Sequence, residues 1–114
     1  MAAYERALVL QPDLAEAGND LGTLLAEGGD LPGAIARFRA ALAATPDYPD
    51  ALNNLGYALL LTDQPAEARE LYERALEIQP DFPEALNNLG LILGRQREFD
   101  RSEPFFRKAL EKRP

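Results

Sequence analysis

The phrase ALNNLG occupies residues 51–56 and returns letter for letter at residues 85–90, 34 positions later. Outward from it, the same offset relates Pro12, Pro46, Pro80 and Pro114, then Ala7, Ala41, Ala75 and Ala109. Tyr4, Phe38, Tyr72 and Phe106 form an aromatic column, and Leu21, Leu55, Leu89 with Gly22, Gly56, Gly90 form two more. Agreement in so many columns marks a repeated structural unit. Within one period Leu52, Leu55, Gly56 and Leu59 recur at helical spacing, and after a break at TDQP (62–65) Ala68, Tyr72, Ala75 and Leu76 do so again. Each unit therefore reads as two helices and a tight turn, with no β pattern in competition. A single helical pair cannot bury its apolar stripe, so the units must stack on one another.

Local signals place the ends of these helices. Asp13, Asp47 and Asp81 are expected to be N-caps, each followed three residues later by Glu16, Asp50 or Glu84 in a capping-box arrangement. Pro49 and Pro83 then fall in the first turn, where a missing N–H costs nothing. The small residues Gly56 and Ala68 are expected to let two helix backbones approach closely, with Tyr72 filling the space between units.

The columns carried by Leu55, Gly56, Leu59, Ala68, Tyr72, Ala75 and Pro80 resemble the tetratricopeptide repeat family, and the resemblance runs through the whole chain. It implies an all-α, right-handed solenoid of antiparallel helix pairs, about three and a half units and seven helices. The units would be a lone second helix at 1–12 and repeats at 13–46, 47–80 and 81–114. Three positions depart from the pattern: Gly18 where Leu52 and Leu86 stand, Ser102 where Ala34 and Ala68 stand, and Pro104 near the start of the last helix. Gly18 is expected to loosen the first unit, since glycine costs about 1 kcal/mol in a helix interior.

Composition excludes several classes of function. Among 114 residues there is no cysteine and no histidine, which removes disulfides, the usual zinc sites, thiol nucleophiles and the commonest general base. No cofactor motif is present. The net charge of -7 opposes nucleic-acid binding, although Arg95, Arg97, Arg101, Arg107, Lys108, Lys112 and Arg113 make the last twenty residues positive. Those cations read most simply as the favourable charge at the end of a final helix. MAAYERALVLQPD (1–13) lacks the layout of a signal peptide, and no segment approaches the roughly 20 apolar residues of a membrane helix. The expected location is the cytoplasm by default, with no membrane partner.

The asparagines decide where a ligand is expected. Opposite the core stripe of the first helix in the middle unit lie Asp50, Asn54, Tyr57 and Leu61, with Leu91 in the column of Tyr57 one unit on. Apolar side chains opposite a core imply a second surface meant to be covered. In the family resembled, first helices line a concave groove that binds extended peptides. Asn54 and Asn88 would stand in that groove with Asp20 in their column, similar to the asparagine ladder of the O-linked N-acetylglucosamine transferase superhelix and of kinesin light chains. A side-chain amide both donates and accepts, so it pairs with peptide backbone of any sequence. The expected groove residues are Asp20, Thr23, Asn53, Asn54, Tyr57, Leu61, Asn87, Asn88, Leu91 and Arg95. The asparagines also have a plainer reading, as hydrogen bonds between neighbouring repeats. The columns that grip chaperone-tail carboxylates in related repeats hold Glu16, Asp50, Glu84 and Asp20, Asn54, Asn88 here, so a neutral or basic peptide is the better partner.

Two rival functions remain. Catalysis would rest on carboxylates such as Glu16 and Asp20, which lie on an open helical face and lack the split environments that acid/base work needs; the expectation is no enzyme. Self-association is the stronger rival: Tyr4 and Leu8 on an unpartnered leading helix, and Phe105 and Phe106 near the other end, would leave apolar flanks for a second copy, giving a homo-oligomeric scaffold. A chain that starts mid-unit also fits a piece of a longer superhelix whose activity lies elsewhere.

Overall fold

A computed structural model describes residues 14–95. They form five α-helices and no strand: α1 (Leu14–Glu27), α2 (Leu31–Ala44), α3 (Pro49–Leu61), α4 (Pro65–Ile78) and α5 (Pro83–Arg95). The leading helix expected at 1–12 and the last helix of the third unit lie outside the described residues, and with them Tyr4, Leu8, Ser102, Pro104, Phe105 and Phe106. No helix among the described residues is long and apolar enough to cross a membrane.

Proline sets most of the helix starts. Pro49, Pro65 and Pro83 open α3, α4 and α5, and Pro32 follows the first residue of α2, positions where φ is already helical and no N–H is wanted. This corrects the expected caps. The residue that caps α3 is Tyr48, with no side-chain hydrogen bond, and the Phe82 carbonyl receives the corresponding first bond of α5 from the Leu86 amide at 3.0 Å. Asp47 and Asp81 stand one residue too early to reach the free amides, because the prolines hold the helix start where it is; Asp13 lies outside the described residues. A true side-chain cap is made elsewhere, by Asp30, whose Oδ1 accepts from the Gly33 amide at 3.0 Å.

The turn inside each helical pair has one geometry used twice. Asp30 and Gln64 amides donate back to the carbonyls of Leu25 and Leu59, both at 2.8 Å, while Gly29 and Asp63 amides donate to Ala26 and Leu60 at 3.0 and 3.1 Å. This is the paired bond pattern of a Schellman end, which needs a left-handed residue at its apex. Gly29 takes that position with φ +91° and Asp63 with φ 61°.

Consecutive helices pack antiparallel, α1 on α2 and α3 on α4, and α2 and α4 pack on the following first helices; α1, α3 and α5 also touch one another in order. The result is an all-helical solenoid with α3 at its centre. Phe38, Leu52, Leu55, Leu59, Tyr72 and Ile92 are its largest fully buried side chains. The glycine column has a different role from the one expected. A Cβ at Gly56 would lie 2.8 Å from Cζ of Tyr72, and one at Gly22 would lie 2.5 Å from Cε1 of Phe38. At Gly22 and Gly56, glycine on the first helix thus seats the aromatic ring of the second. Gly18, the residue expected to loosen the first unit, is buried with its missing Cβ position 3.3 Å from Ala41 Cβ, so its small size is used in packing α1 on α2. On the other side of the solenoid, Arg39 of α2 and Glu67 of α4 form a two-pronged ion pair at 2.7 and 3.3 Å; both side chains are well exposed, so the pair adds little beyond holding neighbouring units in register.

Candidate functional site

Because α1, α3 and α5 lie side by side, their residues at one helical angle form a continuous face. Tyr57, Leu61 and Leu91 are 52%, 54% and 50% exposed on it, although the opposite side of the same helices is the core. Three adjoining cavities indent this face, and Tyr57 borders all of them.

The first cavity, about 290 Å³, lies between α1 and α3. Thr23, Ala26 and Glu27 of α1 form one wall, Asn54, Tyr57, Ala58 and Leu61 of α3 the other, and Leu31 and Phe38 of α2 complete it. The Thr23 hydroxyl donates to the Asn19 carbonyl of its own helix at 3.0 Å. The second cavity, about 230 Å³, is bounded by Tyr57, Leu60 and Leu61 of α3 and by Asn88, Leu91, Ile92 and Arg95 of α5. Each of these seven residues stands 34 positions after a lining residue of the first cavity. The repeat has therefore built the same depression twice. A third cavity, about 220 Å³ and polar, is lined by Asn53, Asn54, Tyr57, Glu84, Asn87 and Asn88.

The asparagines divide into different jobs. The Asn54 amide donates to Oδ1 of Asn19, one unit back, at 2.9 Å, and Asn53 donates to Oε2 of Glu84, in the next unit, at 3.3 Å. Asn53 is 4% exposed, so its amide serves the contact between repeats. Its Oδ1 is buried without a hydrogen-bond partner, as is the Tyr72 hydroxyl. The donor to Glu84 must be the NH2, because a carboxylate only accepts, and this fixes which way the Asn53 amide points. Asn88, which corresponds to Asn54, lines the polar cavity with Asn53 and lies close enough to Tyr72 to act on its phenol. Burial pushes the Tyr72 phenol well above its ordinary value, with Asn88 opposing the shift and Tyr57 adding to it. At the N-terminal end of the face, burial and then the carboxylates of Asp50, Glu16 and Asp20 push the Tyr48 phenol up, and Asn19 opposes them. That end of the face is acidic.

Of the residues expected in a groove, Thr23, Asn53, Asn54, Tyr57, Leu61, Asn87, Asn88, Leu91 and Arg95 border one cavity or another. Asp20 borders none and lies on the exposed surface near Tyr48. Glu84 was expected as a capping residue and instead bridges two repeats. Asn19 and Glu27 were not anticipated, yet both were legible by period: Asn19 stands in the column of Asn53, and Glu27 in the column of Leu61. Phe38, Leu31 and Ala58 gave no such signal, since each of them also packs in or against the core.

The tetratricopeptide repeat model matches residues 2–49, 19–83 and 62–114 of the chain. Among solved structures, a crystal structure of MamA superposes with TM-score 0.81 at 30% identity, over 97% of this chain and 65% of that one. A second MamA structure gives TM-score 0.79, also at 30% identity, over 97% of this chain and 61% of that one. A structure from a functional characterization of Pseudomonas aeruginosa pilF gives TM-score 0.76 at 25% identity, over 90% of this chain and 47% of that one. The chain thus spans less than two thirds of the length of these relatives. No curated protein matches it.

Proposed function

The chain belongs to the tetratricopeptide repeat family, and from that premise we propose that it is a non-catalytic protein-interaction module that takes an extended segment of a partner protein along α1, α3 and α5. The observation that carries the reading is the half-exposed row of Tyr57, Leu61 and Leu91 on the side of the helices facing away from the core, set among cavities. Fully burying a large apolar side chain is worth about 1.5–3 kcal/mol, and these half-exposed ones leave part of that to be gained under a partner segment. Asn54 and Asn88 border the same surface and supply amides for its backbone, in the manner of the asparagine ladder. The solenoid would be right-handed and extend to seven helices, with units at 13–46, 47–80 and 81–114 after a leading helix at 1–12. The acidic N-terminal end favours a neutral or basic partner over an acidic one, and neither nucleic acid nor membrane suits a surface of this sign.

The test is a selection of displayed twelve-residue random peptides on the protein, followed by affinity measurements with Tyr57→Ala. Tyr57 is exposed, so its truncation should leave helicity and the thermal midpoint close to wild type while weakening the selected peptides about tenfold or more. Equal affinity for the variant would remove this face as the binding surface.

A further inference from the structure

We propose that the two equivalent cavities are successive subsites for one segment, and that the charges at their rims set its register. A large apolar side chain next to lysine or arginine enters the cavity between α1 and α3; a smaller one next to aspartate or glutamate enters the cavity between α3 and α5. The inference rests on the groove reading above and adds the chemistry of the ligand to it.

Three observations lead there. The cavities are one depression repeated, so a single ligand crossing the face meets both in the same orientation. Their linings differ in bulk: Thr23, Ala26 and Ala58 of the first are replaced by Tyr57, Leu60 and Ile92 in the second, which narrows it from about 290 to about 230 Å³. Small-molecule sites run from about 300 to 1,000 Å³, so each space suits a side chain better than a cofactor. Their rims differ in sign as well. Glu27 borders the first cavity, Leu61 takes its place in the second, and Arg95 takes the place that Leu61 holds in the first. A cation beside the first anchor and an anion beside the second complement these charges; the reverse order puts like charges together at both ends.

The spacing selects a backbone. Packed helices lie about 8–10 Å apart, and a polyproline II strand has three residues per turn at about 3.1 Å each, so side chains at i and i+3 point the same way about 9 Å apart. In a β-strand, i and i+3 point to opposite sides. A polyproline-II-like segment with its anchors three residues apart matches that general spacing and is the backbone we assign to the ligand.

The test uses fluorescein-labelled synthetic peptides with leucine and valine three residues apart in a serine background. In the matched peptide lysine adjoins leucine and glutamate adjoins valine; in the exchanged peptide the charges are swapped; in the third, both anchors are serine. Each is made in both sequence orders, since a segment can run either way along the face. Anisotropy should show the matched peptide binding about tenfold tighter than the exchanged one, since a screened surface pair shifts affinity by up to about fivefold and two are reversed. The variant Glu27→Lys with Arg95→Glu should invert that ranking, and Thr23→Leu should weaken only the leucine-bearing peptides. If the variant leaves the ranking unchanged, or matched and exchanged peptides bind alike, the inference fails. Should library-selected peptides still lose affinity with Tyr57→Ala in that case, the groove reading survives without it. If light scattering shows the protein dimerising with concentration and the matched peptide does not compete, a second copy occupies the face and the inference is overturned.

Discussion

Tyr72 is where a single atom has the clearest consequence. Its ring fills the space that Gly56 leaves, but its hydroxyl is buried without a hydrogen-bond partner, whereas Phe38 does the same packing one repeat earlier with no polar atom to satisfy. A buried polar group left unpaired costs about 1–3 kcal/mol, so Tyr72→Phe should raise the urea midpoint at neutral pH by about 1 kcal/mol of stability. The same substitution has a signature in alkali. The folded-state value of the phenol is raised, so the native protein keeps the proton longer than the unfolded chain does. Its contribution to stability is intact below the unfolded value near 10 and is lost as pH rises above it. Urea titrations at pH 8 and pH 11 should show wild type losing more stability than Tyr72→Phe. Part of the slope should persist in the variant, because Tyr48 is shifted in the same direction. Equal losses would show that Tyr72 does not carry the effect.

Among the elements, the turns are more informative than the helices. Gly29 and Asp63 occupy the same left-handed position in successive units, yet only glycine adopts it without strain; other residues pay roughly 1–2 kcal/mol, less for aspartate. Asp63→Gly should therefore raise the thermal midpoint, and Gly29→Ala should lower it, as followed by circular dichroism. If both substitutions moved the midpoint the same way, the Schellman geometry would not be what sets these turns. The caps divide similarly. Asp30→Ala should cost about 1 kcal/mol because it removes the bond to Gly33, while Asp47→Ala should stay within about 0.5 kcal/mol; its side chain is 83% exposed and pairs loosely with Arg74, at 3.9 Å. Equal costs would restore Asp47 as a cap.

For the whole molecule, the functional face exists only because first helices lie side by side, so its charges belong to no single unit. Glu27, Glu84 and Arg95 line cavities shared by two repeats, and ligand attraction through such exposed groups is screened within about 10 Å at 0.1 M salt. The preference for the matched over the exchanged peptide should shrink several-fold between about 0.05 and 0.5 M salt; a salt-independent preference would assign it to shape alone. The period of 34 residues made the helical pairs, their antiparallel stacking and the bare row of Tyr57, Leu61 and Leu91 readable from the chain, because helical geometry fixes which side chains share a face. Columns could not tell Asn53 from Asn54: both hydrogen-bond to a neighbouring repeat and both border the polar cavity, but Asn53 is buried and bonds forward to Glu84, whereas Asn54 is half-buried and bonds back to Asn19. Nor could they show that Gly56 seats a ring, or that Pro49 and not Asp47 begins a helix. Those outcomes depend on how side chains about one repeat apart meet across a helix interface, and that packing is decided by tertiary structure.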